Sequence, residues 1–488
     1  MLRKIRIVLA AVSITLVTLL FLDFTGTLHH WFGWLAKIQF LPALLALNAG
    51  VIAALVAITL LFGRVYCSLI CPLGIMQDIF ARFGRMRRKY RYSYSPALTV
   101  LRLVMLALMA ASIILGISAI VVLLAPYSAY GRIAGNLLAP VWMLGNNALA
   151  VVAERAESYA FYSVDVWLKS GFSIAVAAVT LIALGILSWK NGRTYCNTIC
   201  PVGTILGYLS RFSLLRPVID TSKCNACGLC ERNCKAACID SKQHKIDYTR
   251  CVACMNCIDT CRHGAISYTR RYSKTAGADP SQRRSFIATA AALGTTAALQ
   301  AQEKTVDGGL AAITDKQRPE RRTPIVPPGA KSIKHLSNHC TACQLCVAAC
   351  PNGVLRPSTD LTRLMQPESS YERGYCRPEC TRCSEVCPAG AITPVTREEK
   401  TAVQIGHAVW VADNCVPLTD GVECGNCARH CPAGAILMVA SDPQDTDSPK
   451  IPVVNTARCI GCGACENLCP ARPFSAIYVE GYEKHRIN

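Results

Sequence analysis

The chain has 488 residues, 52% of them hydrophobic, with 29 cysteines and a formal net charge of +20. An odd number of cysteines grouped in short clusters excludes a disulfide framework, and so apolar a composition points to membrane spans instead of one large soluble core. Six four-iron clusters with their thiolates, at about −2 each, would lower the charge to roughly +8; nucleic-acid binding is then unsupported, and the basic excess reads as positive-inside loops.

In chain order, Ile5 to Phe24 is an apolar run long enough to span a bilayer, behind Arg3, Lys4 and Arg6. Phe40 to Phe62, Leu98 to Leu124 and Gly171 to Trp189 supply three further spans, with Arg102 placed near an end or snorkelling to the interface. The loop carrying Arg82, Arg85, Arg87, Arg88, Lys89 and Arg91 is cytoplasmic by its charge, which puts the N-terminus there too. Residues 126 to 170 then read as a periplasmic segment without assigned chemistry.

Two stretches nearly repeat each other: GRVYCSLICPLG from Gly63 and GRTYCNTICPVG from Gly192 agree at eight of twelve positions, 129 residues apart. They follow spans two and four, so both emerge on the cytoplasmic face. If the spans stay helical through the motif, Cys67 and Cys71 share one helix face, as do Cys196 and Cys200. Pro72 and Pro201 then open amphipathic helices, making each motif an elbow. Pairing of the elbows would gather four thiols, to hold a seventh cluster or other metal, to cycle as dithiols, or to dock a partner; small residues packing a tight elbow is the alternative.

Beyond Phe212 the chain turns polar and cysteine-rich. Cys224, Cys227, Cys230 and Cys234, then Cys251, Cys254, Cys257 and Cys261, form two runs with ferredoxin spacing. If the fourth cysteine of each run crosses to the other cluster, Cys261 joins the first three and Cys234 the second three. No proline follows Cys234 or Cys261, and Cys238 is an extra thiol that either replaces Cys234 or packs beside it.

Arg283 and Arg284, ahead of a weakly apolar stretch of about fourteen residues, resemble a twin-arginine export signal; an Ala-rich helix is the alternative. A Pro-rich linker follows. Cys340, Cys343, Cys346 and Cys350, and again Cys459, Cys462, Cys465 and Cys469, give C-x2-C-x2-C-x3-C-P, the [4Fe–4S] run. Cys376, Cys380, Cys383 and Cys387 lengthen the first gap by one residue, and Cys415, Cys424, Cys427 and Cys431 lengthen it to eight. Paired zinc-ribbon cysteines lack the Cys-Pro ending, so zinc is a remote alternative.

The expected fold is a membrane α-helical part of four spans with an internal repeat, plus α+β ferredoxin-like iron–sulfur domains. The expected divisions are a transmembrane domain over 1–212, a cytoplasmic two-cluster domain over 213–270, the export signal or a fifth span with its linker over 271–335, and a periplasmic four-cluster domain over 336–488.

Four spans, two C-x3-C-P motifs and a two-cluster domain resemble the NapH-type membrane ferredoxins, related to the polyferredoxin part of NosR-like proteins. Residues 281 to 470 resemble the NapG/MauM-type exported ferredoxins, so the chain looks like the two fused. The resemblance implies a bacterial inner-membrane relay taking electrons from the quinol pool through six or seven [4Fe–4S] clusters to a periplasmic reductase or redox partner. For the quinol, His29 and His30 lie at the periplasmic mouth of spans one and two, with Trp31, Asp23 and Gln39 nearby; satisfied histidines in an aromatic belt are the alternative. Rival readings are a redox maturation factor for a metalloenzyme, and transfer from a cytoplasmic ferredoxin to quinone. No haem-attachment, Rossmann or P-loop signature is present.

Overall fold

A computed structural model describes residues 2–23, 25–86, 92–158, 160–270, 306–307, 311–312 and 314–487. Arg283 and Arg284 of the expected export signal, and Arg87, Arg88, Lys89 and Arg91 of the basic loop, lie outside the described residues.

Helices fill the first part of the chain, and the sequence explains where they break. The run Phe40 to Phe62, expected as one span, is two helices: Leu47 takes a left-handed φ of 53°, and Asn48 caps Ala49–Phe62 by accepting from the Val51 N–H. Leu98 to Leu124 divides likewise at Gly116 (φ 72°) into Thr99–Leu115 and Ser118–Leu124. Residues 126 to 155, within the segment expected to be periplasmic, form a continuous 30-residue apolar helix with a π-helical stretch at Ala134–Leu138. Pro126, which reads as a loop signal, sits in the first helical turn, where the missing N–H costs nothing, and Pro140, read the same way, follows the π-helical stretch. Among the described residues three helices are long and apolar enough to cross a membrane, Leu2–Leu22, Pro126–Arg155 and Gly171–Asn191, with Ala49–Phe62 and Thr99–Leu115 as shorter apolar helices.

The cysteine-rich parts cap opposite ends of this bundle. Leu2–Leu22 meets residues 215–270 at one end through Arg3 and Asp259 (3.2 Å), and just past its other end the Thr25 carbonyl accepts from Arg382 (2.7 Å). Arg102, at the start of the Thr99–Leu115 helix, donates to Thr249 (3.0 Å), while Ser118 beyond that helix's far end donates to the Thr362 carbonyl (2.9 Å). Both cysteine-rich parts are sheet-poor: Leu215–Ile219 pairs antiparallel with Ile266–Arg270, Val403–Trp410 with Ile477–Ile487, and Ile436–Asp442 with Asp445–Val454. One apolar core runs from the bundle into the first half of the 314–487 region, joining Cys67, Cys71 and Cys200 to Cys343 and Cys346.

Candidate metal centres

The twelve-residue repeat folds into two matching elbows that face each other. The helices before them do not continue through the motif as expected: they end at Gly63 (φ 71°) and Gly192 (φ 70°), and short turns, Tyr66–Leu69 and Thr194–Thr198, carry Cys67 and Cys196. Each elbow is clamped by the arginine of the other. Arg64 donates to the Cys196 carbonyl (3.1 Å) and to Asn197 Oδ1 (2.9 Å), and Arg193 donates to the Cys67 carbonyl (2.6 Å). The glycine closing each motif makes room for this exchange. A Cβ on Gly74 would stand 2.3 Å from the Cys67 oxygen and 2.9 Å from Arg193; on Gly203 it would stand 2.2 Å from the Cys196 oxygen and 2.9 Å from Arg64. The repeated tyrosines anchor the elbows to the bundle, Tyr66 through Gln39 (3.0 Å) and the Phe40 N–H (3.1 Å), Tyr195 through the Leu124 carbonyl (3.1 Å). Gln39 therefore lies buried beside the first elbow.

Cys67, Cys71, Cys196 and Cys200 are all buried, and they interact electrostatically across the two elbows, Cys71 with Cys196 and Cys67, Cys200 with the other three. Their sulfurs are solvated by the protein. Gln77 Nε2 reaches Cys196 Sγ (3.3 Å), the Gly203 N–H reaches Cys200 Sγ (3.3 Å), and Arg64 lies 3.7 Å from Cys67 Sγ. Such donors favour anionic sulfur in a place that water does not reach. Among the described residues no three Cys, His or acidic side chains crowd to single-ion distances.

The regular quartets share a backbone device. In C-x2-C-x2-C the residues immediately before and after the second cysteine are left-handed: Ala226 and Gly228, Ala253 and Met255, Ala342 and Gln344, Gly461 and Gly463. An L side chain pays for that conformation, by on the order of 1–2 kcal/mol per residue, so its recurrence marks a loop wrapped around something with its N–H groups turned inward. A second left-handed residue stands three beyond the fourth cysteine, at Gly264, Gly353, Gly390 and Gly434. Ala237 (φ 50°) holds that position after Cys234.

This decides how Cys234 and Cys238 relate. Cys234 stands where the fourth cysteine of a run stands, and Cys238 where Ala265 and Ala435 donate their N–H to Cys261 and Cys431 (both 3.3 Å). The Cys238 N–H likewise reaches Cys234. Cys238 Sγ lies 3.5 Å from Cys234 Sγ, and the hydrogen bonds it shares with Cys234 and Cys251 push the Cys238 thiol up while the same bond pulls Cys234 down.

Quartets cross between neighbouring runs, and three of them enclose small cavities. Cys234, Cys251, Cys254 and Cys257 line one, together with Cys238; Cys431, Cys459, Cys462 and Cys465 line another; Cys415, Cys424, Cys427 and Cys469 line a third. Electrostatic neighbours give the same crossing elsewhere: Cys340, Cys343 and Cys346 with Cys387, and Cys376, Cys380 and Cys383 with Cys350. Cys230 neighbours Cys224 and Cys227, and Cys261 ends the partner run.

The quartets and the elbows are joined by a continuous succession of contacts. The quartet of Cys234 and Cys254 lies against the elbows, since Lys235 bonds to Asp78 Oδ2 (2.5 Å) and its carbonyl accepts from the Arg193 N–H (2.8 Å). On the far side Tyr195 neighbours Cys200 and Arg132, and Arg132 and Tyr127 neighbour Cys343. From there Cys346 neighbours Cys383, the Cys376 N–H donates to the Cys462 carbonyl (2.9 Å), and the run of Cys459 shares its crossing with the run of Cys415.

Sequence reasoning missed the platform under the 314–487 region. Asn136 donates to Gln344 Oε1 (2.7 Å), Gln344 donates to Ser173 Oγ (2.8 Å), and Lys169 donates to the Val347 carbonyl. Residues 126 to 170, left without chemistry, thus hold the first quartet of that region. A Cβ on Gly131 would stand 2.4 Å from the Cys343 carbonyl. His29, by contrast, is tied to Asp23 (3.2 Å), and His30 is exposed, edge-on to Trp31.

Comparison with known proteins agrees with the cofactor class. A family described as a 4Fe-4S binding domain matches residues 44–91 and 170–219, which contain the two elbows. A 4Fe-4S dicluster domain matches 375–435 and 422–472, and a further 4Fe-4S binding domain matches 244–267. The methylamine utilization ferredoxin-type protein MauM of Paracoccus denitrificans is 32% identical over 170 residues, 33% of this chain and 73% of that protein. The ferredoxin-type protein NapH of Escherichia coli is 27% identical over 250 residues, 48% of this chain and 72% of that protein. An uncharacterized protein of Methanocaldococcus jannaschii is 33% identical over 100 residues, and there the match takes in 20% of this chain and 39% of the archaeal one. No solved structure matches the chain.

Proposed function

Since this chain belongs to the family of MauM ferredoxin-type proteins, we propose that it is a membrane electron relay whose redox centres form one line from the quinol pool and the cytoplasmic face to a periplasmic acceptor. The carrying observation is the continuity of cysteine quartets through the bundle: residues 215–270, the two elbows, then the quartets of Cys340, Cys376, Cys459 and Cys415 in that order. The ligands are the six crossed quartets, with Cys234 and not Cys238 in its set, and Cys67, Cys71, Cys196 and Cys200 hold a seventh cluster. When bound, [4Fe–4S] clusters take up and release single electrons.

The residues set the conditions for that traffic. Arg64 and Arg193 place cationic charge beside four thiolates, Gln77 and the Gly203 N–H donate to sulfur, and burial keeps water from the centre. Asn136, Ser173 and Gln344 fix the Cys343 loop to the bundle. The expected domain divisions at 212, 270 and 335 fit this reading, with the four-quartet region on the periplasmic side.

For the quinol, His29 with Asp23 remains one candidate. A cavity of about 270 Å³ at the opposite end supports a second: Ile7, Ala10, Ile14, Ile75 and Ile79 make its apolar wall, and Asp78, Asn233 and Lys235 bring it to the Cys234 quartet. This favours quinone exchange with the cytoplasmic clusters as the second reading.

Iron and acid-labile sulfide analysis tests the assignment. About 28 irons per chain are expected with all seven centres and about 24 without the elbows. A periplasm-dependent reporter fused after Asn488 should be active; an inactive one overturns the sidedness.

A further inference from the structure

The last quartet differs from the others at its surface. Eight residues, Val416 to Glu423, separate Cys415 from Cys424, where the other runs have two or three. They expose Leu418 (44%) and Val422 (57%) at the edge of the cysteine-lined cavity. Beside them the hairpin Ile436–Asp442 and Asp445–Val454 turns Met438 and Pro452 to that cavity, while Leu437 (64%) and Val453 (49%), directly paired, face outward. Aliphatic exposure of this kind around one centre is a feature of interaction surfaces.

Charge narrows the partner. Between residues 412 and 454 stand six acids, Asp413, Asp420, Glu423, Asp442, Asp445 and Asp447, against Arg429 and Lys450, a net of −4 in a chain whose net is +20. All six acids are exposed. The terminal face is thus apolar at its middle and acidic on the 412–454 side, with the cations Arg472 and Lys316 held to the Cys469 carbonyl (2.8 and 2.9 Å).

We propose that this face, around Cys415, Cys424, Cys427 and Cys469, docks a soluble one-electron redox protein that presents basic residues around its own centre. The proposal rests on the cluster assignment made above for this quartet. One electron passes from the reduced cluster to the oxidised centre of the partner, with no bond made and no proton moved. Anionic lipid is repelled by the same acids, and a second copy of the chain is an outcome of the test.

The test uses the full holoprotein in detergent with cytochrome c, a basic one-electron acceptor, and with zinc-substituted cytochrome c, which binds without accepting an electron. Binding of the zinc form and reduction of the iron form should both weaken as salt rises. Asp420→Lys with Glu423→Lys should lower both by about tenfold or more at low salt and abolish the salt dependence. Leu418→Ser with Val422→Ser should weaken binding at all salt concentrations, and the cluster EPR should be unchanged in every variant. Salt-independent binding, or charge reversal without effect, overturns the proposal, as does a chain that is dimeric until Leu418 and Val422 are replaced. Iron analysis separates the two claims: salt-sensitive binding of the zinc form with this quartet empty leaves the face standing and removes the ligation, whereas full clusters with no salt-sensitive binding remove the face.

Discussion

The two elbows share eight of twelve residues and then part company one helical step later: Gln77 and Asp78 of the first stand where the second has Leu206 and Gly207. Asp78 gathers three cations, Arg193 Nε (2.6 Å), Arg6 (3.1 Å) and Lys235 (2.5 Å), so Arg193 is neutralised by a carboxylate. Gly207 instead admits the Thr249 carbonyl, which a Cβ there would meet at 2.4 Å, and that carbonyl accepts from Arg64 (3.0 Å). Among the described residues Arg64 has no carboxylate partner, and its full charge is left to face the thiols. The repeated residues thus build one four-sulfur cage, and the residues that differ give its two arginines separate surroundings: Asp78 of the first half ties Arg193 of the second into an ion network with Lys235, whereas Gly207 of the second half leaves Arg64 of the first with carbonyl and amide partners.

Removing the cage should have the largest effect. Cys71→Ser with Cys200→Ser takes one thiol from each elbow, and iron content should fall by about 4 of about 28 atoms per chain. The EPR of the other clusters should persist, and electrons supplied to the 215–270 end should no longer reach the 336–488 clusters. Retention of all the iron would return the four thiols to a dithiol or packing role.

The arginines sharpen the comparison. Arg193→Ala strips a buried carboxylate of one of its three cations and should cost about 3–5 kcal/mol in thermal or denaturant unfolding of the detergent-solubilised chain. The Arg6 and Lys235 contacts to Asp78 keep the loss near the lower figure. Arg64→Ala removes hydrogen bonds to carbonyls and an amide and should cost about 1–3 kcal/mol, with a greater loss of iron from the elbows than Arg193→Ala for each kcal/mol of stability. Equal iron loss would mean that the halves are not differentiated.

Gly207→Ala sets the next step down. Its Cβ would enter the Thr249 carbonyl, which belongs to the docked 215–270 region, so about 1–3 kcal/mol should be lost through local displacement of that region. Limited proteolysis within residues 215–270 should detect it, and the elbows should keep their iron.

Much of this was readable from spacing, and the unreadable part has a physical reason. Cysteine runs are local, so both C-x3-C-P motifs and every run but that of Cys415 to Cys431 stand out within a dozen residues. The clamp of Arg64 on Cys196 and Arg193 on Cys67 joins residues 132 and 126 positions apart, and nothing near either arginine announces its partner. Helix ends misled for the opposite reason: Leu47 and Gly116 break apolar runs that hydropathy alone reads as continuous, while Pro126 and Pro140 suggest a loop where one begins a helix and the other follows its π-helical stretch. Asn136 and Ser173 had no signal at all, since a single buried amide or hydroxyl acquires meaning only when Gln344 docks on it.

The smallest predicted effect is the most specific to the comparison. Gln77→Leu gives the first elbow the residue that the second already has in Leu206, and removes the donor 3.3 Å from Cys196 Sγ. Leucine is close to glutamine in length, so the elbow should keep its fold and its iron. What changes is the relative stability of the reduced, more negative cluster, which a hydrogen bond to sulfur favours. A contribution of about 1 kcal/mol corresponds to about 40 mV for one electron, and its loss should lower the potential of the elbow centre by that order in an EPR-monitored redox titration. Leu206→Gln should shift the potential upward if the second elbow presents its sulfur in the same geometry, so the pair of variants reads out how far the two halves remain equivalent around the cluster.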